Sequence, residues 1–208
     1  MFRAADVLLL MPLSVFLPPL WGWSASLHTA GEDPPLADGF DFPVGAPHAH
    51  GYYDAQSFGE NYHLGEDWNG NGGGSTDLGD PVHSVATGVV SFAGDLGGGW
   101  GNVVRVVHAY DDAGRVRKVE SFYAHLDRVH VREGQLLARG EVLGTIGDAD
   151  GAYIAHLHFE MRDRVGLPHG PGYSDRVTGW LSPSEFIRRH RPAARAQDLH
   201  AVSTRPPR

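Results

Sequence analysis

Between about residues 47 and 190 the apolar positions follow the pattern of strands rather than helices. Val82–Ala93, Asn102–Tyr110, Lys118–Leu126 and His156–Arg162 are rich in Val, Phe, Tyr and other strand formers. Glycine-rich turns separate several of them, notably Gly97-Gly98-Gly99-Trp100-Gly101-Asn102 and Asp112-Ala113-Gly114. In His156–Arg162 the alternation is strict: His156, His158 and Glu160 point one way, and Leu157, Phe159 and Met161 point the other way into a core. One short helix is predicted near the end. Ser182 is its cap, Pro183 its first residue and Glu185 the partner in a capping box, while Pro192 limits its continuation. No repeat occurs at solenoid periods. The pattern by itself predicts a mostly β chain with one C-terminal helix.

The flanks read differently. Residues 1–26 predict a secretory signal peptide, with Arg3 as the n-region charge, an apolar stretch from Val7 to Trp23, and small residues Ser24, Ala25 and Ser26 at the cleavage site. Pro12, Pro18 and Pro19 interrupt that stretch and no basic stop-transfer cluster follows, which favours cleavage over a membrane anchor. The expected product is periplasmic or extracellular, without stable membrane association. Residues 27–46, rich in Pro, Gly and acidic side chains, predict a linker or extended strap; 47–190 form the domain; 191–208 have no apolar period and predict a disordered tail.

Charge and cysteine content narrow the chemistry. The formal net charge is -8, and losing residues 1–26 removes one Arg and one Asp, so it does not change. Before the last helix no Lys/Arg block exists, which argues against nucleic-acid binding through phosphate neutralisation. Cysteine is absent, so neither disulfides nor thiolate metal sites are available, and any metal must rest on imidazole and carboxylate. Thirteen histidines are many for 208 residues.

Three of the histidine segments carry candidate chemistry. His63-Leu64-Gly65-Glu66-Asp67 is an H-x-x-x-D spacing. Tyr123-Ala124-His125-Leu126 ends a predicted strand, with Tyr123 and His125 expected on one face. His156-Leu157-His158-Phe159-Glu160 puts two imidazoles on one face of a stiff strand. His48-Ala49-His50 has the same H-x-H spacing but lies in a Pro/Gly-rich entry segment, where a surface pair is the plainer expectation.

Taken together and in this order, the three motifs resemble those of the lysostaphin/LytM-type zinc metallopeptidases, which hydrolyse peptide bonds of bacterial peptidoglycan. The likeness runs from about His63 to Arg162. It includes Gly79-Asp80-Pro81-Val82 with Ala86-Thr87-Gly88-Val89-Val90, the turn Trp100-Gly101-Asn102, and the glycines Gly134, Gly140, Gly144 and Gly147. The resemblance implies an all-β, compact antiparallel sheet or sandwich with an open groove. It implies one Zn2+ held by His63, Asp67 and His158, with His125 and His156 as the catalytic pair. Three protein ligands leave a fourth tetrahedral position for water, the mark of a catalytic zinc. Glu160 is expected either to orient a ligand imidazole or to form an ordinary salt bridge.

Two loops depart from the family pattern. Asn69–Leu78 lengthens the link after Asp67, and its start imitates a calcium-binding EF-hand loop, yet Leu78 stands where the bidentate Glu belongs. Asp148 and Asp150 make the loop before His156 acidic. Both loops are expected to border the groove and bear on specificity. The residues do not choose among peptidoglycan bonds. The alternative function is a non-catalytic zinc-binding activator or scaffold of another wall hydrolase, which the presence of all five site residues argues against. A lipoyl-like carrier is excluded because the only lysine, Lys118, lies outside the hairpin-like stretch Val131–Gly147.

Overall fold

The computed structural model describes residues 33–192. The predicted signal peptide and residues 193–208 of the predicted tail lie outside the described residues.

Ten strands, β1 Tyr52–Gln56, β2 Glu66–Gly70, β3 Pro81–His83, β4 Gly88–Asp95, β5 Asn102–Asp112, β6 Arg115–Val129, β7 Leu136–Leu137, β8 Val142–Ile146, β9 Leu157–Arg162 and β10 Trp180–Leu181, precede one helix, α1 Pro183–Arg189. The strands form one large antiparallel sheet ordered β1-β2-β9-β6-β5-β4-β7, with β10 beside β9, and β8 joining β6 to β3. The mostly β prediction holds. Val82–Ala93 is two strands rather than one. The hydroxyl of Ser84 donates to the Ala86 carbonyl and the chain turns before Gly88, where a side chain would collide with the His108 ring and the Val107 carbonyl.

The central strand β9 is flanked on both edges. β6 pairs with His158–Arg162, from Glu120↔Arg162 to Ala124↔His158. On the other edge β2 pairs with Leu157–Phe159 and β10 with Met161–Arg162. All six residues of β9 are buried. Leu157, Phe159 and Met161 enter the main core with Tyr123, Ile146 and Ile187, as the alternation predicts. At about 25 cal/mol per Å² of apolar surface, each such side chain stabilises the fold by roughly 1.5–3 kcal/mol. That packing fixes the strand whose opposite face carries His158.

The predicted linker is, from Asp33 onward, part of the domain. Phe40 and Val44 are fully buried and Phe42 nearly so. Phe40 packs edge-on against Phe186 of α1, ring centroids 5.0 Å apart. Arg139 ties the segment down with bonds to Asp38 (2.8 Å) and Asp41 (2.6 Å). Residues 191–192 are likewise docked rather than part of a free tail: Arg191 pairs with Asp41 at 3.2 Å, and Pro192 is buried. The capping box at α1 is not made. Ser182 makes no side-chain cap, and Glu185 pairs with Arg189 instead. The orphan amide of Ser184 donates to the buried carboxylate of Glu66 on β2 at 2.9 Å, so a tertiary acceptor does the work of a local cap.

A buried histidine in this core sets an acid limit on stability. His108 is fully buried, with Nδ1–H donating to the Thr87 carbonyl at 3.0 Å and Nε2 facing the Ser121 hydroxyl at 2.8 Å. Burial pushes its pKa down to about 4. Below pH ~6.5 the unfolded chain takes up a proton that the folded chain declines. The contribution is therefore complete above that pH and is lost as pH falls toward 4. Across that window it amounts to about 3 kcal/mol at ~1.4 kcal/mol per pKa unit. Urea denaturation at several pH values is expected to show a shallower acid loss for His108→Gln than for the wild type. Parallel curves would refute the assignment.

Candidate metal centre

His63, Asp67 and His158 come from separate parts of the chain and converge on one point. His63 closes a turn after Glu60 and bridges to Tyr173, whose ring packs on its imidazole at 5.1 Å; the next amide, Leu64, donates to the Gly172 carbonyl at 2.9 Å. Asp67 and His158 face each other across the β2–β9 pairing. Their donor atoms lie close together: His63 Nε2 to His158 Nδ1 is 3.0 Å, His158 Nδ1 to Asp67 Oδ1 2.9 Å, and His63 Nε2 to Asp67 Oδ1 3.3 Å. Among the described residues this is the one group of three or more such side chains able to hold a metal ion.

Two imidazole lone pairs at this separation repel unless a proton or a cation lies between them. Nitrogen and oxygen ligands at ~2.0–2.2 Å from a tetrahedral zinc stand about 3.3 Å apart, close to the three distances found. The donor set is also of the kind zinc takes in catalytic sites. The residues therefore fit the ion.

Electrostatics and second neighbours hold the group ready. Burial is the largest single influence and would raise the Asp67 carboxyl and lower the His158 imidazole, but the hydrogen bonds and charges around each together outweigh it. Asp67 is held well below the usual carboxylate range by His158 and His63. The carboxylates of Asp67 and Glu160 raise His158 to about 9. Glu160 both contacts the His158 ring and forms a salt bridge with Arg162. Its Oε1 accepts from His158 Nε2 at 3.0 Å, leaving Nδ1 to face Asp67 and His63. Its Oε2 accepts from Arg162 and from Trp180 Nε1, each at 2.7 Å. His158 and Arg162 hold Glu160 ionised against its burial. The guanidinium of Arg162, itself fully buried, also reaches the carbonyls of Leu167, Pro168 and His169.

His125 and His156 stand beside the three. Ring centroids of His125 lie 4.7 Å from His156 and 5.6 Å from His158. Each ring turns Nδ1 to a backbone carbonyl, His125 to Trp100 at 3.3 Å and His156 to Ile154 at 2.8 Å. Those bonds set the tautomer with the proton on Nδ1 and leave Nε2 as an acceptor; His156 Nε2 is 3.7 Å from Asp67 Oδ1. Burial, with the charges of His158 and His156, pushes His125 down to about 3, so this ring is neutral near pH 7.

Tyr123 and His125 do not share a face. Tyr123, paired with Phe159, sits in the core and its hydroxyl accepts the Val85 amide at 3.0 Å. His125 has φ +61°, a left-handed backbone that costs a non-glycine residue on the order of 1–3 kcal/mol. That twist breaks the alternation and turns the imidazole to the opposite side, toward His156 and His158. Strain of this kind gathers at functional sites.

Asp67, His125, His156 and His158 line a cleft of about 410 Å³, walled by Gln56 and Tyr173 and by Gly99, Trp100 and Tyr153, while His63 is buried beneath it. Tyr173, whose hydroxyl donates to Gln56 Oε1 at 3.0 Å, is a wall residue that sequence reasoning did not single out; it lies in a stretch without periodicity. Trp100 lines the cleft, whereas Trp68 is buried in the core. His48 is engaged by Arg191 at 2.8 Å and does not join the cluster. The EF-hand imitation does not form a loop around a cation: Asp67 faces the histidines, and Asn69 donates to the Ala155 carbonyl at 3.3 Å.

A model of peptidase family M23 matches residues 62–171, just over half of the chain. The DD-carboxypeptidase/endopeptidase Mpg of Neisseria meningitidis serogroup B (strain ATCC BAA-335 / MC58) is 39% identical over 84 residues, covering 40% of this chain and 17% of that protein. The murein hydrolase activator NlpD of Salmonella dublin is 34% identical over 84 residues, covering 40% of this chain and 20% of that protein. The match thus spans a fifth or less of either relative's length. The catalytic domain of lysostaphin from Staphylococcus simulans aligns with a TM-score of 0.44 and 22% identity, covering 72% of this chain and 89% of that one.

Proposed function

The chain belongs to peptidase family M23, and from that premise we propose that it is an exported, zinc-dependent endopeptidase acting on the peptide cross-links or stem peptides of bacterial peptidoglycan. The observation that carries the proposal is the convergence of His63 Nε2, Asp67 Oδ1 and His158 Nδ1 within 3.3 Å of one another, beside two histidines whose Nδ1 atoms are tied to carbonyls. In this reading His63, Asp67 and His158 hold one Zn2+. The ion supplies, when bound, a Lewis acid for a water and for the scissile carbonyl.

The chain's own groups do the rest. Between them, the Nε2 atoms of His125 and His156 take one proton from the attacking water, hydrogen-bond the developing oxyanion through it, and return it to the leaving amine. Glu160 keeps the His158 ring turned with Nδ1 toward Asp67 and His63. The walls formed by Tyr173 and Trp100 shield the bond from bulk water. The likeness to Mpg, a DD-carboxypeptidase/endopeptidase, and to NlpD, a murein hydrolase activator, supports an envelope location and a peptidoglycan substrate.

A second reading, a zinc-binding activator of another murein hydrolase, is favoured by the likeness to NlpD and opposed by the presence of all five site residues. One experiment separates the two. The zinc-loaded chain is incubated with purified peptidoglycan and the fragments are identified by mass spectrometry. New amine and carboxyl ends at one defined peptide bond are expected. If several wall types release nothing while a partner hydrolase is accelerated, the activator reading replaces the peptidase.

A further inference from the structure

Tyr153 lies in the loop between β8 and β9, one of the two that depart from the family pattern, and the proposed reaction does not use it. It is half-exposed in the cleft, its ring centroid 4.9 Å from His125 and 5.8 Å from His156. The loop that carries it is anchored. The Tyr153 amide donates to the Asp148 carbonyl at 3.0 Å, the Gly151 amide to Asp148 Oδ1 at 2.9 Å, and the Ala155 amide to the Ser75 hydroxyl at 3.1 Å. Ala149 packs against Gly101 so closely that a Cβ there would meet its Cβ at 3.3 Å. His125, in contrast, is strained in its backbone and has one long hydrogen bond, 3.3 Å to the Trp100 carbonyl. Packing must therefore orient its ring. Of its four aromatic neighbours, Trp100 and Tyr153 are the two outside the histidine cluster.

We propose that Tyr153 is a positioning residue for His125, seated by the bare backbone of Gly99. A Cβ at Gly99 would lie 2.5 Å from the Tyr153 hydroxyl oxygen but 3.5 and 3.8 Å from the nearest ring carbons. Gly99 has no left-handed φ, so the hydroxyl alone stands against a methyl group at this position. Alanine at 99 pushes the tyrosine off its seat, and its ring away from His125, without touching the metal group. Phenylalanine at 153 keeps the ring and removes the colliding atom.

The proposal rests on His125 acting in the reaction, and the test is built to keep the two apart. Zinc-loaded Gly99→Ala and Tyr153→Ala are expected to lose about 10- to 30-fold in kcat with KM moved less than about threefold, because a misplaced catalytic group costs rate more than binding. Gly99→Ala/Tyr153→Phe is expected to regain most of that loss. kcat and KM are measured on the soluble cross-linked muropeptides that the wild type cleaves. In parallel, the His125 ring protons are followed by NMR in 15N-histidine-labelled, zinc-loaded protein. They are expected to shift with Gly99→Ala and to return toward the wild-type position in the double variant. Tyr153→Ala with wild-type kcat, or a Gly99→Ala loss that Tyr153→Phe fails to relieve, would overturn the proposal. If the wild type cleaves nothing, only the peptidase reading falls, and the ring signals decide: shifts that reverse in the double variant uphold the positioning role, and unmoved signals refute it.

Discussion

His158→Ala is expected to remove metal and activity together while leaving the fold in place. The wild type should carry about one zinc per chain after loading, and the variant less than about a tenth, because His63 and Asp67 alone are two donors where tetrahedral zinc in catalytic sites takes three from protein. Peptide release should fall by at least ~10³-fold, since the Lewis acid goes with the ligand. The fold survives because β9 is held by Leu157, Phe159 and Met161 in the core and by backbone pairing on both edges. Glu160 also keeps its bonds to Arg162 and Trp180. Glu160→Gln is expected to behave otherwise. It loosens the orientation of His158, for a loss of about 10- to 100-fold in zinc affinity. It also strips the buried Arg162 of its counter-charge, for a loss on the order of 3–5 kcal/mol in stability. Elemental zinc analysis beside thermal denaturation separates the two variants. A His158→Ala protein that still holds stoichiometric zinc would mean that the ion sits elsewhere.

What the sequence disclosed depended on whether the chain kept to simple periods. In β9 and the His156 that precedes it the chain does, so the alternation of His156, His158 and Glu160 against Leu157, Phe159 and Met161 could be read directly, and with it the face that carries His158. His125 breaks the period with one left-handed residue, and no local signal announces it; the same alternation rule that works in β9 puts His125 on the wrong face of β6. Phe40, Phe42 and Val44 do alternate, but the Pro, Gly and acidic residues around them outweighed that pattern, and a packed segment read as a linker. Ser182 had the right identity for a cap, yet the acceptor used is Glu66, more than a hundred residues earlier. Tyr173 reaches His63 and Gln56 only through the folded chain, from a stretch with no apolar rhythm. Motif spacing thus named the five candidate residues, while their walls and supports are products of tertiary packing.

Replacing either His125 or His156 with alanine should give the opposite signature to a lost ligand: zinc retained, turnover lost. Both rings anchor Nδ1 on a carbonyl and neither belongs to the group of three converging donors, so neither is expected to be needed to hold the ion. The His125 and His158 rings are tilted against each other, centroids 5.6 Å apart. General acid–base groups contribute about 10²- to 10⁴-fold, and each single variant is expected to fall in that range in kcat at near-unchanged zinc content. The double variant should lose far less than the product of the two single losses, because two groups that pass one proton along act as a unit. The same pair of variants discriminates between the two functional readings. A peptidase loses its own fragment release. An activator that binds zinc but performs no hydrolysis keeps its effect on a partner hydrolase when His125 and His156 are replaced, since its surface and its metal are intact. Fragment release measured with and without such a partner, beside zinc content, therefore assigns the two histidines to chemistry or removes them from it.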